Sequence, residues 1–201
     1  MVTLDGAGVG CAIDCMTALV MLAAGRGTRF GGGKLNAPLA GKPLAQHVAD
    51  RLGSLPFSRL IAVCADATPE LPGFERVMLA PTDGPLSRSI AAGIAALRDD
   101  TSVLIALADM PLVPSAHFQA LLAAFDGDVV ASGVGALAMV PAVFGARHFA
   151  ALQKLTGDRG AGALLHAAPR IALDPELALD VDTPADLLRA ARVILASDPI
   201  T

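Results

Sequence analysis

The sequence lacks tryptophan and tyrosine altogether, and its seven phenylalanines bring the aromatic share to only 3%. Stacking on a flat ligand would therefore have to come from Phe or Arg side chains, or be replaced by backbone contacts. Cysteine is scarce too: Cys11, Cys15 and Cys64 form no disulfide framework and lack the spacing of a zinc site. This cysteine usage is typical of proteins from a reducing cytoplasm.

Positive charge is also in short supply, because 15 Lys and Arg residues face 19 Asp and Glu residues. A nucleic-acid binder needs a basic face, so we expect no nucleic-acid partner. Long apolar runs are missing as well, since Gly, Pro or a charge interrupts each run before it reaches membrane-spanning length, and we expect no membrane association. Residues 1–15 have no positive region typical of a secretory signal. We interpret them as a loose extension, and an ordered segment at the sheet edge is the alternative.

Apolar residues make up 54% of the chain and charged residues 17%, which fits a sheet covered on both faces by helices rich in Ala and Leu. Apolar runs predict strands at residues 18–24, 59–64, 75–79, 103–108, 128–131, 135–140 and 177–181. Helical spacing predicts helices at residues 43–52, 86–97, 114–125 and 146–155, near 161, and from 184 onward. We expect His117 on the surface. The length of 201 residues suits one α/β domain, placed at residues 16–201.

The first predicted strand leads into a basic, glycine-rich loop. Residues 25–34 contain five glycines together with Arg26, Arg29 and Lys34. Glycine lets backbone N–H groups approach an anion, and Arg and Lys offset the charge of phosphate oxygens. The loop therefore predicts a phosphate site, and a flexible turn with incidental charges is the alternative.

Two better-known phosphate loops do not fit this stretch. A Walker loop would need glycine in place of Thr28 and Ser or Thr in place of Leu35. The GxGxxG fingerprint would place its third glycine at Phe30, whose ring would block close packing of helix and strand. The sequence thus excludes both motifs.

Two acidic positions follow predicted strands. Asp109 comes directly after the strand at 103–108, where open α/β sheets bind their ligands, and an aspartate there is a suitable Mg²⁺ ligand beside a triphosphate. The strand predicted at 177–181 delivers Asp180 and Asp182 into a turn. Thr183 and Asp186 have the spacing of a capping box, which would leave Asp182 available for a metal. Helix capping by Asp109 or Asp182 is the alternative.

The letters LAAGRGTRFGGGK resemble the LAAGxGTRxGxxK signature of nucleoside triphosphate transferases. They are most similar to the MobA-like and MocA-like cytidylyl and guanylyl transferases of molybdenum cofactor maturation. ADMP, TGDRGA and DVDTP resemble further motifs of that family, so that the resemblance covers residues 18–194. It implies a Rossmann-like, three-layer α/β/α fold of the nucleotide-diphospho-sugar transferase (GT-A-like) type with a mostly parallel central sheet.

The resemblance also implies roles for individual residues. Lys34, Arg29 and Asp109 would be catalytic, and Asp109 and Asp182 would bind Mg²⁺. The implied nucleotide-binding residues are Leu22, Ala23, Ala24, Gly25, Gly27, Lys34, Gly84 and Ser89. The implied acceptor-binding residues are Pro141, Gly157, Asp158 and Gly160. Gly162 stands where the family motif ends in arginine, and a plain turn is the alternative reading of residues 156–160.

The implied reaction joins CMP from CTP to the terminal phosphate of molybdopterin and releases pyrophosphate. CTP is favoured over another triphosphate because Ala23, Ala24 and Gly25 match the cytidylyl branch, whereas the guanylyl branch usually has Ala-Gly-Gly. A molybdoenzyme of the xanthine dehydrogenase type is the implied protein partner. The alternatives are a sugar-phosphate nucleotidyltransferase, which shares the opening signature, a GTP-using molybdopterin guanylyltransferase, and a non-catalytic cofactor carrier.

Overall fold

The computed structural model describes residues 16–25, 27, 30–80, 84–157 and 160–197. The strands are β1 (Thr17–Ala23), β2 (Pro38–Leu39), β3 (Lys42–Pro43), β4 (Leu60–Cys64), β5 (Glu75–Met78), β6 (Ser102–Leu107), β7 (Val129–Val134), β8 (Leu137–Gly145) and β9 (Arg170–Ala172). The helices are α1 (Leu44–Gly53), α2 (Leu86–Ala95), α3 (Ser115–Ala124), α4 (Phe149–Gln153), α5 (Gly162–Leu165) and α6 (Pro184–Ser197). Short 3-10 turns span Lys34–Asn36 and Ala146–His148.

In the part of the chain that the structure describes, seven strands form the central sheet in the order β5-β4-β1-β6-β8-β7-β9. Its pairs are parallel except where β8 lies between β6 and β7, with which it pairs antiparallel. The remaining two strands, β2 and β3, form a small separate hairpin. The predicted α/β fold with a mostly parallel central sheet is therefore confirmed.

Strand β1 lies near the middle of the sheet and is buried along its whole length. Successive side chains of a strand point to opposite faces, and here both faces are covered. Leu19 and Met21 pack into one hydrophobic cluster, and Val20 and Leu22 pack into the other. This double burial explains why the first strand reads as an unbroken apolar run rather than an alternating one.

The two clusters define the two helical layers. Side chains of α1, α3 and α6 pack on one face of the sheet. Side chains of α2, α4 and α5 pack on the other face. Within the described residues, no helix is both long and apolar enough to cross a membrane.

The prediction of a strand at residues 177–181 is wrong, because this segment folds as a turn. The backbone N–H groups of Leu177 and Ala178 donate to the carbonyl of Asp174, which closes the turn locally. Its leucines still pack against the core, and this packing produced the strand-like pattern. The sheet instead gains β9, which pairs parallel with β7 at the sheet edge.

The surface location expected for His117 is also wrong. His117 lies on α3, is only 6% exposed, and its Nε2 is 2.8 Å from Ser132 Oγ. Because Ser132 Oγ donates to the carbonyl of Pro141 at 2.6 Å, the hydrogen of this contact belongs to His117. Burial lowers the pKa of His117, which favours the neutral ring. The histidine therefore joins α3 to the β7-β8 hairpin.

Close packing of α2 on the sheet yields a testable prediction. A Cβ added at Gly93 would lie 2.4 Å from Val20 Cγ1, whereas one added at Gly53 would meet only Leu60 Cδ1 at 4.0 Å. We expect Gly93→Ala to lower the free energy of unfolding by about 1–3 kcal/mol through overpacking. Urea denaturation measures the effect, with Gly53→Ala as the matched control. Equal stabilities of the two variants would contradict the tight packing described.

Candidate functional site

The candidate site lies where β1 and β6 end side by side. The two strands pair in parallel up to Leu22 and Leu107, so the segments that follow them leave the sheet at the same edge. The glycine loop follows β1, and Asp109 follows β6. The backbone N–H of Val181 donates to the carbonyl of Asp109 at 2.9 Å, which brings residues 180–182 to the same edge.

Lys34 is the centre of this arrangement. Its side chain is only 6% exposed, and its ammonium Nζ lies 2.7 Å from Asp109 Oδ2 and 2.8 Å from Asp182 Oδ1. Asp180 Oδ1 lies further off, at 3.8 Å from the same nitrogen. A single buried cation thus contacts acidic residues from two distant parts of the chain.

The pKa values in this cluster follow from the placement of one ammonium near three carboxylates. Burial alone lowers the pKa of Lys34, but the charge of Asp109 and the hydrogen bonds to Asp109 and Asp182 outweigh it and raise that pKa above its ordinary value. These contacts therefore favour the charged form of Lys34. Partial burial and the nearby charge of Asp109 raise the pKa of Asp180 to about 7. Among the described residues, three carboxylates face this one ammonium, and their surplus of negative charge favours uptake of a proton or a cation.

The residues present fit a divalent cation that arrives with phosphate. Asp109 Oδ1 is buried and has no hydrogen-bond partner among the described residues. The described acidic residues do not by themselves form a cage of three or more metal ligands. Magnesium usually takes only one or two carboxylates and completes its shell with phosphate and water. Asp109 and Asp182 would supply two such carboxylates.

The start of α6 explains why Asp182 faces Lys34. Thr183 Oγ1 accepts from the backbone N–H of Asp186 at 3.2 Å, and Asp186 Oδ2 accepts from the backbone N–H of Thr183 at 2.9 Å. This is the predicted capping box, which satisfies the first turn of the helix. The carboxylate of Asp182 is left to bind Lys34.

Two glycines shape the approach to Lys34. Gly27 has a φ of +57°, and a Cβ there would lie 2.9 Å from Lys34 Cγ, so the lysine stem packs directly on its backbone. The carbonyl of Gly27 accepts from the backbone N–H groups of Phe30 and Gly32. Gly33 has a φ of +62° immediately before the 3-10 turn that carries Lys34. Arg29 lies outside the described residues.

A cavity of about 240 Å³ opens beside the glycine loop, and we call it the loop cavity. One wall consists of residues 23–25 and 33–35, which include Lys34. The other wall is the turn at residues 65–68, which follows β4. Its lining residues are Ala23, Ala24, Gly25, Gly33, Lys34, Leu35, Ala65, Asp66, Ala67 and Thr68. Several residues with predicted nucleotide-binding roles therefore line one cavity.

Leu22, Gly27, Gly84 and Ser89 do not line the loop cavity. Leu22 lines a second, apolar cavity of about 230 Å³, which side chains of α2 and α5 also line. Gly84 lies just before α2, and Ser89 is buried within that helix. The nucleotide-binding role of all eight predicted residues stays a prediction, including those that line the loop cavity.

The predicted acceptor residues are spread over the region near the apolar cavity. Gly160 and Gly162 line it, together with Leu86, Leu137 and other aliphatic residues. Pro141 is buried in β8, and its carbonyl accepts a hydrogen bond from Ser132 Oγ. It does not line the apolar cavity. The carbonyl of Gly157 accepts from the backbone N–H of Ser87 at 3.4 Å. Asp158 lies outside the described residues, as do residues 1–15.

Two site residues were missed by the sequence predictions. Asp180 was available from the spacing of the DVD stretch, since it precedes Asp182 by two positions. Thr68 lines the loop cavity but carries no signal in the sequence, because its importance depends on a contact with Ala23 across 45 residues.

Comparisons with known proteins agree with this architecture. A family model described as the MobA-like NTP transferase domain matches residues 19–172. Bifunctional protein GlmU from Rhodospirillum rubrum is 36% identical over an alignment of 130 residues, and the match covers 58% of this chain and 28% of that protein. The chain thus spans only about a quarter of the length of the curated relatives it matches.

Two solved structures share the fold. A nucleotidyl transferase from Methanothermobacter, Mth528, is 22% identical with a TM-score of 0.77, and the match covers 91% of this chain and 99% of that one. Rv0371C from Mycobacterium tuberculosis H37Rv, solved in complex with manganese, is 23% identical with a TM-score of 0.73, and the match covers 88% and 98%. At these identities the likeness shows the fold alone.

The Lys34 cluster yields a prediction on metal binding. In the protein without nucleotide, the ammonium competes with any divalent cation for Asp109 and Asp182. We expect Lys34→Met to bind Mn²⁺ about tenfold more tightly or better, because it leaves these carboxylates without their cation. Titration followed by the electron paramagnetic resonance of free Mn²⁺ measures this affinity.

The matched control is Lys42→Met, because Lys42 pairs with Asp50 on an exposed surface outside the site. This variant is expected to bind Mn²⁺ as the wild type does. Circular dichroism checks that both variants are folded. An unchanged affinity in folded Lys34→Met would contradict the competition described.

Proposed function

Since the chain belongs to the family of MobA-like NTP transferase domains, we propose that it is a nucleotidyltransferase. It transfers a nucleoside monophosphate from a nucleoside triphosphate to a phosphate group of an acceptor and releases pyrophosphate. The observation that carries this proposal is the convergence of Lys34, Asp109 and Asp182 beside a cavity bounded by the glycine loop.

The chemistry of the cluster suits this transfer. Asp109 and Asp182 would hold a divalent cation, which would supply positive charge to the phosphate oxygens that carry the developing charge. Lys34 supplies a second, permanent positive charge, and triphosphate oxygens are strong acceptors that compete for its ammonium. Gly25 and Gly33 line the cavity where backbone approach to an anion is unobstructed.

In the proposed reaction, an oxygen of the acceptor phosphate forms a bond to the α-phosphorus. The bond from that phosphorus to the oxygen bridging to the β-phosphate breaks, and pyrophosphate leaves with its electron pair. A phosphate monoester is already ionised near neutral pH, so the reaction requires no general base. This fits the placement of His47 and His117, which are bonded to Leu39 and Ser132 rather than to the Lys34 cluster.

The more specific proposal is transfer of CMP from CTP to the terminal phosphate of molybdopterin with Mg²⁺ as the metal. Its support is the resemblance of the opening signature and of DVDTP to the molybdopterin transferases. The further proposals that follow are a cytoplasmic location and delivery of the product to a molybdoenzyme of the xanthine dehydrogenase type. Arg29 and Asp158 remain proposed site residues that lie outside the described residues.

The second candidate is a sugar-phosphate nucleotidyltransferase. It shares the LAAGxGTR signature, and Gly162 in place of the family arginine weakens the case for a molybdopterin acceptor. A GTP-using transferase and a non-catalytic carrier remain as alternatives. The carrier binds nucleotide or cofactor without releasing pyrophosphate.

The deciding experiment incubates the protein with CTP, GTP, ATP or UTP and Mg²⁺, with molybdopterin or with a sugar phosphate, and measures pyrophosphate. We expect release with CTP and molybdopterin. Release only with a sugar phosphate would favour the second candidate. Binding without release in any combination would favour the carrier.

The metal-ligand role of Asp109 yields its own prediction. We expect Asp109→Ala to lower kcat by about a hundredfold or more, because charge on the reacting phosphate is no longer offset there. Nucleotide binding measured by calorimetry is expected to persist. Asp50→Asn serves as the control, because it removes an exposed acid outside the site and should leave kcat unchanged. Full activity of Asp109→Ala would rule out this role.

A further inference from the structure

The turn at residues 65–68 forms the wall of the loop cavity opposite the glycine loop. Thr68 is only 7% exposed, and its Oγ1 donates to the carbonyl of Ala23 at 2.7 Å. The same oxygen accepts from the backbone N–H of Ala65 at 2.9 Å. One side chain therefore closes the turn and joins it to the last residue of β1.

The hydrogen bond from Thr68 to Ala23 lies at the point where the pairing of β1 with β4 ends. The pairing of β1 with β4 ends at Ala23 and Cys64, and no sheet pairing joins the described residues of these two segments beyond that point. Ala24 and Gly25, which follow directly, line the cavity. The Thr68 hydroxyl thus extends the connection between the strands by one bond, at the point where the cavity begins.

A second contact joins the same wall to the segment that carries the lysine. Asn36 Nδ2 donates to the carbonyl of Ala67, and Asn36 belongs to the 3-10 turn that begins at Lys34. The wall is therefore attached to both sides of the cavity opening. A displacement of the turn would change the width of the cavity, whereas Asp109 and Asp182 hold the Lys34 ammonium independently.

The geometry points to Thr68 as a positioning residue for the nucleoside triphosphate, and we propose this role on the basis of the proposed function. Its hydroxyl donates to Ala23 and accepts from Ala65, so it is already used within the wall. It acts by fixing the distance between the wall and the glycine loop. An interaction that only shapes the binding cavity affects substrate and transition state alike, so its loss raises KM and leaves kcat nearly unchanged.

The test compares Thr68→Val with a stability-matched control. Valine keeps the shape of threonine and removes both hydroxyl bonds. The control is Thr17→Val, because Thr17 is also buried in β1 and bonds Ser102 Oγ at 2.6 Å, but at the opposite end of the strand. Thr68→Val loses two buried hydroxyl bonds and Thr17→Val loses one, and we expect each variant to lose about 1–3 kcal/mol of stability.

We expect Thr68→Val to raise KM for CTP with Mg²⁺ about tenfold and to keep kcat within about twofold of the wild-type value. The reason is that the lost interaction stabilises the bound substrate and the transition state equally. Thr17→Val is expected to keep the wild-type KM. Thr68→Ser, which retains the hydroxyl, is expected to restore it. A wild-type KM in Thr68→Val, an equal rise in Thr17→Val, or no rescue by serine would overturn the positioning role.

Calorimetric titration with CTP and Mg²⁺ separates this inference from the proposed function. If the wild type binds CTP without releasing pyrophosphate, the transferase proposal fails, and weaker binding by Thr68→Val still supports the positioning role. If both proteins bind CTP equally, the positioning role fails while the transferase proposal stands or falls on turnover. Absence of binding to CTP, GTP, ATP and UTP by the wild type overturns both.

Discussion

The contact of one buried ammonium with the carboxylates of Asp109 and Asp182 holds the candidate site together. Lys34 and Asp182 are 148 positions apart in the chain, and Asp109 lies between them on a third segment. Removing a lysine from water is unfavourable unless its charge is paired and hydrogen-bonded, so the lysine is stably buried only when all three segments are in place. This contact therefore joins the glycine loop, the end of β6 and the start of α6 around one ammonium.

The sheet makes this convergence possible. Parallel strands deliver their carboxyl ends to one edge, which places the loop after β1 beside Asp109. The bond from Val181 to the carbonyl of Asp109 adds the segment before α6, and the capping box directs Asp182 away from the helix. The surplus of negative charge among the described residues of this cluster would be unfavourable in an inert core. It is suited to a site that exchanges its lysine contacts for a cation and a polyphosphate.

Much of this arrangement could be predicted from the sequence, because it depends on patterns among residues that are close together in the chain. A strand buried on both faces gives an unbroken apolar run, and Asp109 directly follows another such strand. The errors have a common cause. Residues 177–181 alternate like a strand because a turn also directs its leucines inward, and His117 is buried because Ser132, which is distant in sequence, offers it a partner. Thr68 gave no signal, because its partner is Ala23, on a different strand. Contacts between distant segments are not encoded in local periodicity.

The most direct test of the central claim is a double-mutant cycle on the free energy of unfolding, with Lys34→Met, Asp182→Asn and the combined variant in urea denaturation. If the ammonium holds the start of α6 at the site, the two changes are coupled, and we expect an interaction energy of about 1–3 kcal/mol. Strictly additive effects would mean that Lys34 and Asp182 do not stabilise one another, and the described basis of the site would be contradicted.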